Sequence, residues 1–168
     1  GRDLRKYIDA GISTDHEASS IEEAREKIKN GMKILIREGS AARNFDALWP
    51  LIEEYPDEVM LCCDDIHPDD LIEHHIDQLI VRGLKKGLNI FDLLKAASVN
   101  PVKHYKLDVG LLKQGDKADF IVVENLDEFK VKESYINGKC VFRNGSVQYL
   151  STRPDPINKF KRGRVKSE

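Results

Sequence analysis

Cysteine is scarce in this chain, and what there is has no framework. The 168 residues hold three cysteines, none in CxxC spacing, and an odd, unpaired count fits a reducing cytoplasm. No strong charge of either sign is present: 27 basic residues stand against 29 acidic ones, a net charge of -2. That balance removes the electrostatic reason to expect a nucleic-acid partner. No apolar run approaches the roughly 18 residues of a membrane span, so no membrane partner is expected. No basic start followed by an apolar stretch reads as a secretory signal. Histidine pairs at HxH or HxxxH spacing are also missing. A catalytic zinc site takes about three protein ligands, so a complete metal set cannot be read from this sequence.

What is present is a repeated theme over residues 1–100. A short strand-like run ends in polar residues, a capping signal follows, and a helical pattern begins. The first copy is Ala10–Thr14, then Ser19 and Ser20 with Glu22 and Glu23 three positions on, a doubled capping box. Gly31 is placed to end that helix. The second is "MKILIREG", with Ser40 as the expected cap of "AARNFDALWPLIEEY", a helix that Pro50 interrupts. The third is "EVMLCCDD", followed by Pro68 at a helix start with Asp69 and Asp70 in its first turn. A long helix, "LIEHHIDQLIVRGLKKG", and a further one, "NIFDLLKAASV", ending at Asn100-Pro101, complete the run.

Strands alternating with helices imply parallel βαβ units, in an open sheet or part of a closed barrel. Such sheets keep their chemistry at the carboxyl ends of the strands, which is where Asp15-His16-Glu17 and Asp64-Asp65 fall. Beyond residue 108 the texture changes. A Gly-Asp turn, the apolar "FIVV" and two Asn-Gly pairs predict a small antiparallel β element over 109–150, the first pair marking a two-residue hairpin. Residues 151–168, with two prolines and "KFKRGRVK", read as a linker or tail.

Two readings stand for each candidate residue. His16 is a metal ligand, oriented by its flanking acids, or a cap of the next helix. Asp64 and Asp65 bind metal or move protons, or they form an Asx-type cap ahead of Pro68. His67 reads as a loop residue. His74 and His75 fall inside a helix and diverge by about 100 degrees, so they cannot serve one ligand together. His104 packs or caps.

The stretches "KYIDAGISTDHE", "MLCCDDIHPDDL", "HHIDQLIVRGLKKG", "FDLLKAASVNPVKHY" and "GLLKQGDKADFIVV…YINGKCV" together resemble the adenine deaminases of the amidohydrolase superfamily. TDHE and CDDxHPDDL are the specific ones; the last two stretches are general to the superfamily. The resemblance implies an α/β fold, the C-terminal part of a (β/α)8 barrel. Strand six would be Gly11–Thr14, strand seven Lys33–Arg37 and strand eight Val59–Cys63, within residues 1–108, followed by part of a small β-sandwich over 109–150. It implies His16 and Asp64 at the metal, with Asp64 also moving the proton, Asp65 as its catalytic neighbour, and Glu17 orienting water or the purine. Manganese or iron is the implied metal, with zinc as the third option, and adenine the implied substrate.

The family's HxH after strand one, its bridging carboxylate after strand four and its strand-five histidine have no counterpart here. The chain therefore reads as an internal or C-terminal-half fragment that is inactive alone and, with open strand edges, self-associates or forms a homo-oligomer. Rival readings are a dihydroorotase-like or guanine deaminase-like hydrolase, against which TDHE speaks, and a non-catalytic assembly or interaction domain, which the short ligand set favours.

Overall fold

The computed structural model describes residues 2–150 and, beyond them, Thr152, Asp155, Ile157, Asn158 and Lys161; the expected tail over 151–168 lies largely outside the described residues. Burial alternates along Lys33–Arg37, with Ile34 and Ile36 fully buried and Lys33, Leu35 and Arg37 half-buried. This is a strand with one face on a core and one face open. Lys33–Arg37 is β2, the centre of a parallel sheet of order β1-β2-β3, with β1 at Thr14–Asp15 and β3 at Val59–Cys62. Thr14 pairs with Lys33, and Ile34 through Arg37 pair with Val59 through Cys62. Strand β1 is shorter and later than the predicted Ala10–Thr14. The preceding residues instead form α1, Arg2–Asp9, which the sequence reading did not foresee, and Gly11 at φ +92 turns the chain out of it.

Helices cover one face of this sheet. Helix α2, Ile21–Lys29, is capped by Ser20, whose Oγ accepts from the Glu23 N–H, while Glu23 accepts from the Ser19 N–H. The capping box is thus shared between the two serines. Gly31 at φ +93 follows its end. Pro50 splits the next helix into α3, Phe45–Leu48, and α4, Leu51–Glu54. Ser40 does not cap it: Asn44 precedes α3, and Ser40 instead bonds Asp70 and accepts the His67 N–H.

The long helix predicted after β3 is broken. Helix α5, Pro68–Glu73, and α6, Ile76–Lys85, are separated by His74 in extended backbone (φ −163) and by His75. The His74 ring bonds the Asp70 carbonyl and the His75 N–H donates to Asp77. Such side-chain and backbone bonds compete with helical ones. The helix expected to stop at Asn100-Pro101 runs on. Helix α7, Ile90–Leu94, passes through a π turn, Lys95–Val99, into α8, Asn100–Tyr105. The Asn100 N–H reaches back to the Lys95 carbonyl, a five-residue step that makes room for a proline ring an ordinary turn would reject.

The core gathers Ile34, Ile36, Val59 and Leu61 of the sheet with Ala24, Phe45, Leu48, Leu51, Ile52, Leu79 and Leu93 of the helices. Each Val, Leu, Ile or Phe among them, where fully buried, contributes about 1.5–3 kcal/mol. A second, antiparallel sheet follows, of order β4-β5-β6-β7, at Phe120–Val123, Val131–Ile136, Lys139–Arg143 and Ser146–Val147. Asn137 and Gly138 turn β5 into β6 with φ values of 49 and 74, and Asn144 and Gly145 turn β6 into β7 with 46 and 81. These are the doubly positive turns that Asn-Gly favours.

Candidate active site at the strand ends

Side chains on the open face of a parallel sheet line up across neighbouring strands. His16 follows β1 directly, Arg37 ends β2, and Asp64 lies two residues past β3. Asp64 has φ +50, a left-handed conformation that Asp tolerates better than most residues and that is found disproportionately at functional sites.

Arg37 joins these ends. Its Nη1 and Nη2 donate to the two oxygens of Glu17 at 3.0 and 2.9 Å, and Nη1 also donates to Asp64 Oδ2 at 2.9 Å. His16 Nε2 lies 3.4 Å from Glu17 Oε1. The structure therefore brings three predicted residues, His16, Glu17 and Asp64, into one cluster, and adds a fourth that the sequence reading missed. The Arg37 side chain is 11% exposed, against 66% for Glu17 and 37% for Asp64. Hydrogen bonding to Glu17, opposed by burial and helped by Asp64, raises its already high pKa. The signal for Arg37 was present: it shares the parity of Lys33 and Leu35 in "KILIR", at the level where His16 and Asp64 emerge.

Asn44, buried behind the cluster, holds it in register. Its Oδ1 accepts the Arg37 N–H at 2.7 Å, and its amide donates to the Ala18 carbonyl at 3.1 Å and the His16 carbonyl at 3.4 Å. One side chain thus ties the segment after β1 to the end of β2.

Other polar residues stay apart. Asp15 accepts the Ala18 N–H and pairs with Lys27 at 3.0 Å, facing the helix layer. Burial opposes the Lys27 charge, but hydrogen bonds to Glu23 and Asp15 outweigh it and its pKa is raised. Asp65 rests its carboxylate against Gly39, where a Cβ would overlap Asp65 Oδ1. His104 Nε2 lies 3.5 Å from Ser13 Oγ and its ring meets Tyr105 edge-on, a packing role as expected. A separate cavity of about 650 Å³ opens on the helix side, lined among others by Glu38, Arg43, Asp70, His74, His75 and Arg82. Among the described residues no three of His, Cys, Asp and Glu gather as a metal would require.

A parallel sheet with helices on one face and a polar cluster at its strand ends defines an α/β protein of the kind that does its chemistry at that edge. The chain belongs to the amidohydrolase family, whose sequence model matches residues 3–141. Among its relatives are the adenine deaminases of Methanosarcina mazei, 59% identical over 98% of this chain, and of Salinibacter ruber, 56% identical over 95% of it. The chain spans only 30% and 29% of those relatives' lengths. A β-aspartyl dipeptidase from Fervidobacterium islandicum has a similar fold, with a TM-score of 0.63 at 24% identity over 79% of this chain and 37% of its own. No helix among the described residues is long and apolar enough to cross a membrane.

Proposed function

We propose that the strand-end cluster is part of the active site of an adenine deaminase, converting adenine and water to hypoxanthine and ammonia. The observation that carries this reading is the convergence of Glu17 and Asp64 on one guanidinium, with His16 against Glu17; the identity to named adenine deaminases supplies the substrate. In this reading β1, β2 and β3 are strands six to eight of a (β/α)8 barrel over residues 1–108. The antiparallel sheet is part of a small β-sandwich over 109–150, and 151–168 is a linker. In the 168 residues alone the outer edges of β1 and β3, unpaired among the described residues, favour self-association. The free state of Cys62, Cys63 and Cys140 accords with a cytoplasmic protein.

Asp64 is the acid/base. Its Oδ2 is held by Arg37, which leaves Oδ1 to take a proton from the water that attacks the ring carbon bearing the amine. The same proton then goes to the departing nitrogen, so water adds across the bond and ammonia leaves. Glu17 shares Arg37 with this group and also positions the His16 ring, while the Asp65 carboxylate turns away to Gly39.

The family points to a divalent metal, manganese or iron before zinc. The residues described here do not fit one: the gap between the two carboxylates is filled by a guanidinium, and His16 with Asp64 falls short of three ligands. The 168 residues alone are expected to show no adenine turnover.

In the whole protein, Asp64→Asn lowers ammonia release from adenine by about 10²–10⁴-fold. A variant that keeps its activity within about tenfold of the parent removes Asp64 from this role.

A further inference from the structure

We propose that Arg37 is the resident cation of this site, a positioning residue that holds Glu17 and Asp64 at fixed spacing and keeps a divalent metal off the pair it bridges. The proposal rests on reading the strand-end cluster as the reaction site. The family implies a metal at Asp64, and the structure places the Arg37 guanidinium on that carboxylate.

Three observations carry it. Both terminal nitrogens of the fork are spent on the acids: Glu17 is bound through both oxygens at 3.0 and 2.9 Å, and Asp64 through one at 2.9 Å. Planar, two-pronged recognition of carboxylate is what arginine does and lysine cannot. The side chain is 11% exposed, with its Nε buried and lacking a hydrogen-bond partner among the described residues, so the guanidinium is enclosed instead of ranging over the surface. Its backbone is pinned as well, by β2 pairing with β3 and by the 2.7 Å bond from the Arg37 N–H to Asn44 Oδ1. A divalent ion bridging Glu17 and Asp64 would therefore stand within a few ångströms of a fixed positive charge, and like charges that close repel even near a protein surface.

The test is a Mn²⁺ titration of this chain followed by electron paramagnetic resonance, with circular dichroism to confirm folding. The parent is expected to bind Mn²⁺ only weakly. Arg37→Met and Arg37→Gln, which remove the charge, should each bind about tenfold or more tightly. Arg37→Lys, which keeps the charge without the fork, should stay near the parent. Adding Asp64→Asn to Arg37→Met should abolish the gain. Tight one-to-one binding by the parent overturns the proposal, and so does a folded Arg37→Met or Arg37→Gln that gains nothing. If Arg37→Met fails to fold, Arg37→Gln and the parent still decide. Because this readout involves no turnover, its failure is distinct from a failure of the deaminase reading, which the Asp64→Asn assay probes.

Discussion

Asp15, His16 and Glu17 are consecutive and do different things. Asp15 faces the helices, where it caps a turn and pairs with Lys27; His16 and Glu17 face the open side of the sheet. Cys62 and Cys63 divide in the same way. Cys62 ends β3 near Asp64, while Cys63 is buried and lines the helix-side cavity. Burial, then the Asp64 charge, push the Cys62 thiol from 9.0 to about 11. A thiol with so high a pKa has little thiolate, so Cys62 should resist a disulfide reagent at about pH 8 in the folded chain and react once urea unfolds it. The folded form binds this proton more tightly than the unfolded form. Its contribution to stability is therefore complete below pH 9.0 and lost as pH rises through about 11. Urea midpoints measured across that window should fall, and Cys62→Ser should flatten the decline. Gly39 illustrates close approach at the same scale. A Cβ there would overlap Asp65 Oδ1 and lie 2.9 Å from the Cys63 carbonyl, so Gly39→Ala must displace the turn after β3. A loss of about 1–3 kcal/mol in chemical denaturation is expected.

Elements show what could be read in advance and what could not. Strand β2, the capping of α2, the break at Pro50 and the Asn137-Gly138 hairpin follow from local chemistry, and local chemistry is visible in one sequence. The break at His74-His75 and the π turn were missed because both are decided by partners elsewhere. Asn100 makes the case. Its amide donates to the carbonyls of Pro56 and Val59, each at 2.7 Å, anchoring the start of α8 to the start of β3. Those two carbonyls lie more than forty positions earlier, and no spacing rule connects them to Asn100. The same applies at the site. His16 and Asp64 stood out as chemistry at strand ends, but Arg37 and Asn44 matter through contacts that only the sheet creates. Asn100→Leu would strip both carbonyls of their donor. Leaving buried acceptors unpaired costs about 1–3 kcal/mol, readable as a lower urea midpoint. Accelerated hydrogen exchange in α8 should accompany it, with α2 unaffected.

At the scale of the molecule the question is how two sheets of different kind hold together. The antiparallel sheet is exposed along much of its length: Ile121, Val122, Ile136 and Val147 all face solvent. A small sheet of this kind is marginal alone and needs packing against something else. Phe129 supplies it. It sits in the connection between β4 and β5 at φ +50, is 3% exposed, and belongs to the same buried cluster as Ile34, Leu93 and Ala96, with Val123 of β4 packed against that cluster. The backbone strain at Phe129 is sustained because the ring is buried. Phe129→Ala removes the ring and should cost about 3–5 kcal/mol. The loss should not be shared evenly. Hydrogen exchange across β4–β7 should rise toward that of an unprotected chain while β1–β3 keep their protection, since the parallel sheet retains its own helices. Phe129→Leu, which keeps an apolar side chain in the same place, should restore most of the protection. If instead Phe129→Ala loosens both sheets equally, the two form one cooperative unit and the ring is not the joint between them.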